Sequence, residues 1–461
     1  MPGGLLQLIS VGQQDTYISI SPEFSYWKQV YRRHTNYSME SVRNTFLSAP
    51  SLNNINRGIF TCKIGRVGDL LSEVFLCFKL PDIYSDENLR FRWIPNVANH
   101  MLYTYRVSID TQDIDLRYGE WLNVWNELTL TADKQFGYQK MTGSTEEFIA
   151  PKSQKPLVIL KNNRFKYSYY PTAGPTSPSI PSRTLYVPLD FWFCKNPALA
   201  LPLVALQYQT INVTIEFRAA EDLYQVYDIV TGKYYSPSGY RALPHYDGRD
   251  VSISAFTGYG GNGPSAIDLN AYLDCNYIFL DTVERNTIAA TSMDYLIERV
   301  YRTNQSGVQQ DGQATIDLVI GNPIKEFVWI MRKSTAVSYN EWGNYTAATP
   351  ENENRGTMNT LKILWNGAER LQDKPAAYFN LLQPYQYHTS TPKEGIYCYS
   401  FALYPEKLQP SGSFNASMIN KIQFYLTTNP TDDGSDYEIS IYSIYYNIFR
   451  VMGGSGGMAF T

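Results

Sequence analysis

Several residue patterns in this 461-residue chain have the types and spacing that chemistry requires. GYGGNG at 258–263 has the G-x-G-x-x-G spacing that lets backbone approach a dinucleotide pyrophosphate. VSISAF (251–256) could supply the strand before it, and Asp281 stands near the acidic position. That use also needs a helix directly after the glycines and a strand–helix–strand unit around them. Turn formers surround the motif instead, so a surface loop is expected. GGSGG at 453–457 matches a nucleophile elbow, but no acid or histidine follows Ser455 to complete a triad, and a flexible tail is expected. The four histidines, His34, His100, His245 and His388, lack H-E-x-x-H or H-x-x-x-H spacing. Asp110, Asp113 and Asp115 lack the glycine and distal glutamate of a calcium loop, which leaves a solvated strand edge. Glycosidase carboxylates need no sequence proximity, and no pair is singled out. Cys62, Cys77, Cys194, Cys275 and Cys398 are an odd, scattered set, four of them in apolar surroundings, and read as reduced core thiols. The sequence therefore assigns no catalytic, cofactor-binding or metal-ligating residue, and no cofactor.

The densest positive cluster is YWKQVYRRHTNYSMES (26–41). It reads either as a contact for an anionic surface or as an amphipathic element packing Trp27, Val30 and Tyr31 inward, and the residues alone favour the second. No window approaches the roughly 18 apolar residues of a membrane span. MPGGLLQLIS lacks a basic signal-peptide start, so a soluble chain made in the cytosol is expected. Sequons stand at Asn36, Asn212, Asn304, Asn344 and Asn415. With 39 basic and 43 acidic residues, the balance argues against dedicated nucleic-acid binding.

Aromatic residues make up 15% of the chain and charged residues only 18%, with 30 Gly and 25 Pro; half-buried pleated surfaces joined by tight turns suit that mix. In 211–218, Ile, Val, Ile and Phe alternate with polar residues, a period of two. VFLCFKL (74–80) and FVWIMRK (327–333) are near-continuous apolar runs, as strands covered on both faces are. Helical signals are few: LRYGEWLNVWNEL (116–128), NPALALPLVAL (196–206) and SMDYLIERV (292–300). The halves also look alike. A strand ending Ile64-Gly65 leads through Ser72-Glu73 into VFLCF, and one ending Ile320-Gly321 leads through Lys325-Glu326 into FVWIM. Breaks at Asn196-Pro197 and Tyr404-Pro405 are each followed by a loop and one more alternating strand. A duplicated β-sandwich follows, and a structural or binding role is favoured over an enzyme.

Several segments resemble the major capsid proteins of large nucleocytoplasmic DNA viruses of the iridovirus, phycodnavirus and Marseille-type group. They are GGLLQLISVGQQDTYISISPEFSYWKQVYRRHTNYSMES (3–41), LYVPLDFWFCKNPALALPLVALQYQTINVTIEF (185–217), LDCNYIFLDTVERNTIAATSMDYLIERV (273–300), NPIKEFVWIMR (322–332), AAYFNLLQPYQYHTSTPKEGIYCYSFALYPEKLQPSGSFNAS (376–417) and YYNIFRVMGGSGGMAF (445–460). The match is weak at 130–180, 220–265 and 335–360. The resemblance implies an all-β double jelly roll, two eight-stranded antiparallel sandwiches side by side with short helices in loops. The expected divisions are an arm at 1–25, a first roll at 26–220, a linker at 221–250, a second roll at 251–451 and a tail at 452–461. It also implies a homotrimeric, pseudo-hexagonal capsomer that tiles an icosahedral shell, made in host cytoplasm and assembled at a viral factory. Its partners would be copies of itself, minor capsid and penton proteins and the internal membrane, without direct nucleic acid. Trp27, Lys28, Tyr31, Arg32 and Arg33 would face that base, the loops 130–180 and 335–360 would point outward, and Asn304 and Asn344 are candidate glycan sites. A minor double-jelly-roll paralogue, or a β-sandwich lectin or glycosidase, are the alternatives.

Overall fold

The computed structural model describes residues 2–53, 55–85, 89–149, 177–261, 263–264, 266–347 and 356–460. Most of the expected outer loop 130–180 and part of 335–360 lie outside them. Residues 1–37 and 38–461 form two compact units.

The larger unit holds two sandwiches of the same strand plan. In the first, one sheet runs in the order Tyr37–Thr45, Tyr272–Leu280, Leu70–Leu80, Arg183–Pro188. Its facing sheet runs Gly58–Lys63, Ile211–Phe217, Leu102–Ile109, Gln112–Tyr118. In the second, Met293–Val308, Tyr437–Met452, Pro323–Lys333 and Ile396–Ser400 make one sheet. Gln313–Leu318, Ile422–Thr428, Met358–Trp365 and Ala368–Pro375 make the other. All these pairings are antiparallel where the register is resolved. This is the double jelly roll, and the internal repeat is real at the level of topology. VFLCF and FVWIM lie in strands third in order in their sheets, and both Ile211–Phe217 and Ile422–Thr428 bury every second residue.

The continuous apolar runs have a physical reason. Phe327, Trp329 and Met331 point into the second roll's own core, while Val328 and Ile330 on the opposite face belong to another cluster with helix residues from the first half. A strand buried on both faces cannot alternate. Tyr437–Met452 reaches further: Ile439 and Ile441 enter the second roll's core, Tyr442 and Ile444 the shared cluster, and Phe449 and Val451 the first roll's core.

The structure differs from the sequence reading in several places. Tyr272–Leu280 pairs with Leu70–Leu80, so residues expected in the second roll hydrogen-bond with the first. The last two strands of the first roll are separated by the long insertion 218–271, which reads like a linker but contains the strands Tyr224–Asp228 and Lys233–Tyr235. The rolls are instead joined through the helix Thr282–Ala290, whose first N–H is accepted by the Asp281 carboxylate at 2.8 Å. Residues 292–300 are strand, not helix. Their apolar spacing fits either period, and hydrogen bonding to Tyr437–Met452 over its whole length decides. In 196–206 Pro197 and Pro202 allow only a short 3-10 turn capped by Asn196 and an edge strand. The expected helix from Leu116 begins only at Gly119, after a strand. The supposed tail forms the strand Ser455–Met458 against Phe449–Met452.

Candidate functional site

The helix Gly119–Thr129 is the piece of the first half that locks onto the second. Trp121, Val124 and Leu128, at helical spacing, bury themselves against Val300, Val328, Ile330, Ile396, Tyr442 and Ile444. Trp125 stacks on Trp121 with ring centroids 5.2 Å apart. Residues that fill such a seam with apolar atoms must also satisfy every charge they enclose.

Three ionic groups do so. Arg332 donates to Glu120 at 2.8 Å and to Glu438 at 2.9 Å, and the Tyr442 hydroxyl donates to the other Glu120 oxygen at 2.9 Å. Glu298 lies between Lys195, at 2.8 Å, and Lys325. Burial alone would raise its carboxyl, but the two ammonium groups beside it hold it down at about 2. Arg117, itself buried, pairs with Asp115 at 3.0 Å and donates to the Glu298 carbonyl at 2.7 Å. Asp115 is therefore sealed in the interior rather than solvated at a strand edge. Asp113 does meet solvent, against Arg106, and Asp110 accepts from the Thr210 N–H at 2.7 Å.

A fourth group sits at the same seam. Glu326, on the strand Pro323–Lys333, and Cys398, on its neighbour Ile396–Ser400, fall on one face because Glu326 is opposite Ser400. His388 follows the helix Gln383–Tyr387 and inserts between them. Its Nε2 is 2.5 Å from Glu326 and its Nδ1 is 3.1 Å from Glu406. Burial lowers the imidazole's affinity for a proton, but Glu326 and Glu406 outweigh it and raise it to about 12, while burial pushes the Cys398 thiol up to about 11. The ligand atoms of Glu326, His388 and Cys398 lie within 4.8 Å of one another, a cluster that histidine spacing alone does not reveal. Its sequence signal, like that of the ionic groups, is a charged residue inside an apolar run: Glu120 in GEWLNVW, Glu298 in YLIERV, Lys325 and Glu326 in KEFVWIM.

The other sequence candidates scatter. GYGGNG follows the short helix Ile253–Thr257, the reverse of the order a nucleotide loop needs, and its Asn262 lies outside the described residues. Ser455 stands in a hairpin strand. A cavity of about 780 Å³ opens beside the seam, with Glu127, Trp342, Tyr345 and Lys393 in its wall. Glu127 there is neutralised by Lys393 at 2.7 Å. Asn344 also lines it; its side-chain amide donates to Glu341 at 3.0 Å and its oxygen accepts from the Thr346 N–H and hydroxyl. Asn304 is exposed on its strand, opposite Ser440.

Residues 1–37 contain two short helices, Gly3–Ile9 and Gln13–Ser19, that bury nothing. Residues 26–33 form no regular element, and Trp27, Val30 and Tyr31 are 96%, 76% and 78% exposed, so the inward-packed amphipathic element is not formed. Leu5, Leu6, Leu8, Ile9, Ile18 and Phe24 are exposed as well. Among the described residues no helix is long and apolar enough to cross a membrane.

A family model described as large eukaryotic DNA virus major capsid protein matches residues 284–457, and one described as major capsid protein N-terminus matches 25–281. The chain is similar to the major capsid protein of Pyramimonas orientalis virus, 32% identical over 484 residues, and to that of Phaeocystis pouchetii virus, 30% identical over 549, covering 100% of both chains in each case. In structure it is similar to a chain of the PBCV-1 virus capsid, with a TM-score of 0.68, 25% identity, and coverage of 95% of this chain and 100% of that one.

Proposed function

The chain belongs to the family of large eukaryotic DNA virus major capsid proteins, and from that premise we propose that three copies close into a pseudo-hexagonal capsomer. The protein is a structural component of the virion capsid, where it takes its place in a lattice with copies of itself. The single observation that carries the capsomer reading is the repeated strand plan of the two rolls. Two like rolls per chain, repeated three times about one axis, give six like units around a ring, the outline a hexagonal lattice accepts. The joint between rolls falls at the helix Thr282–Ala290.

Residues 1–37 serve as the attachment surface at the capsomer base. What supports this is the bare apolar surface of that unit, with Lys28, Arg32 and Arg33 among exposed Trp27 and Tyr31. Exposed apolar surface rimmed by charge is the mark of a protein or membrane interaction site. Minor capsid or penton proteins and the anionic face of the internal membrane have the matching chemistry. Assembly at a viral factory in host cytoplasm, a role without catalysis and without direct nucleic-acid contact, fits that placement. Of the two glycan candidates, Asn304 is the accessible one, since the Asn344 amide is already hydrogen-bonded.

Light scattering after size exclusion tests the capsomer. The expected species has three times the 52.7 kDa chain mass. A chain that stays monomeric at capsid-forming concentrations, while remaining folded, overturns the closed trimer.

A further inference from the structure

We propose that Glu326, His388 and Cys398 are the ligands of a zinc-type divalent cation that ties together three elements of the second roll on its face toward the seam. The three side chains come from three different elements and converge within 4.8 Å, the only such group of metal-binding side chains among the described residues. Nitrogen, sulfur and carboxylate oxygen together are the donor set that zinc, a borderline-soft ion without geometric preference, accepts. Glu326 is fully buried, yet its Oε2 makes no hydrogen bond. A buried carboxylate oxygen left without a partner is costly, and a cation beside it removes that cost.

The surroundings resemble those of a prepared ligand. Glu406 accepts at His388 Nδ1 and thereby turns Nε2 toward Glu326. A carboxylate on the far nitrogen is the usual device that fixes the tautomer and orientation of a metal-binding imidazole. Glu406 is itself held by the Thr389 N–H at 2.8 Å. The Trp125 ring, edge-on to the imidazole at 6.0 Å, excludes water from the side of the first roll. Ligand atoms around tetrahedral zinc stand roughly 3.3–3.8 Å apart, given metal–ligand bonds of about 2.0–2.3 Å. The ligand atoms, all within 4.8 Å of one another, stand near that spacing, and Nε2 and the nearer Glu326 oxygen, 2.5 Å apart, must part to admit the ion.

The charges balance. On binding, the thiol proton of Cys398 and the Nε2 proton of His388 pass to the solvent, and the sulfur and nitrogen lone pairs form bonds to the ion. Two positive charges enter as two protons leave, so the buried cluster keeps its net charge. Glu326 Oε2 or a water completes the coordination.

The purified full-length chain is dialysed against Zn2+ buffered by a chelator, and its metal content is measured beside that of C398S and H388Q. One equivalent per chain is expected to bind, with about two protons given up to the solvent, and each variant should fail to bind it. E406Q, which touches no ion, should weaken binding about 10–100-fold. Failure of the wild-type chain to take up zinc, or an equivalent retained in both C398S and H388Q, overturns the site. Should the variants not fold, anomalous scattering at the zinc edge on wild-type crystals decides. A peak among the three ligands supports the proposal, and zinc located elsewhere or nowhere refutes it.

Discussion

His100 shows how one enclosed side chain makes stability depend on pH. Burial lowers its affinity for a proton first, and Arg218 and Arg332 lower it further, to about 3 from the usual 6.5. The folded chain keeps it neutral while an unfolded chain takes up a proton below 6.5. The stability this arrangement contributes is thus complete above 6.5 and is lost as pH falls toward 3, at ~1.4 kcal/mol per pH unit. Calorimetry of wild type and H100Q between pH 7 and 5 should show a flatter decline for the variant. Equal slopes would mean that His100 is reached by protons in the folded state. None of this was legible in the sequence. The arginines that hold His100 neutral are more than a hundred residues away, and only folding makes them neighbours. By contrast the cysteines were readable, because an apolar neighbourhood in sequence is usually an apolar neighbourhood in space; four of the five are buried.

The junction at Gly119 belongs to the scale of the element. There the strand Gln112–Tyr118 turns directly into the helix that fills the seam. A Cβ at this position would sit 2.0 Å from the Leu102 carbonyl oxygen and 2.2 Å from that of Asn99, both backbone atoms that cannot swing aside. Gly119→Ala should therefore displace the seam helix and lower stability by more than ~3 kcal/mol, since it strips cover from Trp121, Val124 and Leu128 together. Chemical denaturation measures the loss; a midpoint unchanged from wild type would show that the strand end yields freely. The sequence announced this helix by its spacing of apolar residues but placed its start too early. The periodicity of 116–128 does not say where a strand hands over. SMDYLIERV failed for a related reason: Met293, Leu296, Ile297 and Val300 have helical spacing, yet the segment is a strand whose buried apolar residues leave from opposite faces, Ile297 into the first roll's core and Val300 to the seam.

Seen as a whole molecule, the protein divides its labour between a double roll with extensive cores and an amino-terminal unit whose own helices bury nothing. If that unit is the attachment surface, reversing its charge should separate attachment from folding. R32E/R33E is expected to leave thermal stability of the chain unchanged but to reduce particle yield and retention on anionic vesicles several-fold. Undiminished assembly in co-expression would remove those arginines from the base. The overall plan was largely legible, because a duplicated strand order leaves two copies of one pattern in the chain and long segments resemble a known family. The joint was misplaced because the insertion 218–271 sits between two strands of the first roll's facing sheets and has the look of a tether. The strand Tyr437–Met452 carries a consequence of its own. It lies between Met293–Val308 and Pro323–Lys333 and lends side chains to every major core, yet it is synthesised more than a hundred residues after either neighbour begins. While the ribosome is still making the intervening chain, those two strands stand apart with their facing edges open, an invitation to pair with the strands of other nascent chains on the same message. In a protein made in the quantities a shell requires, the hazardous interval of its life is the time before this one strand arrives.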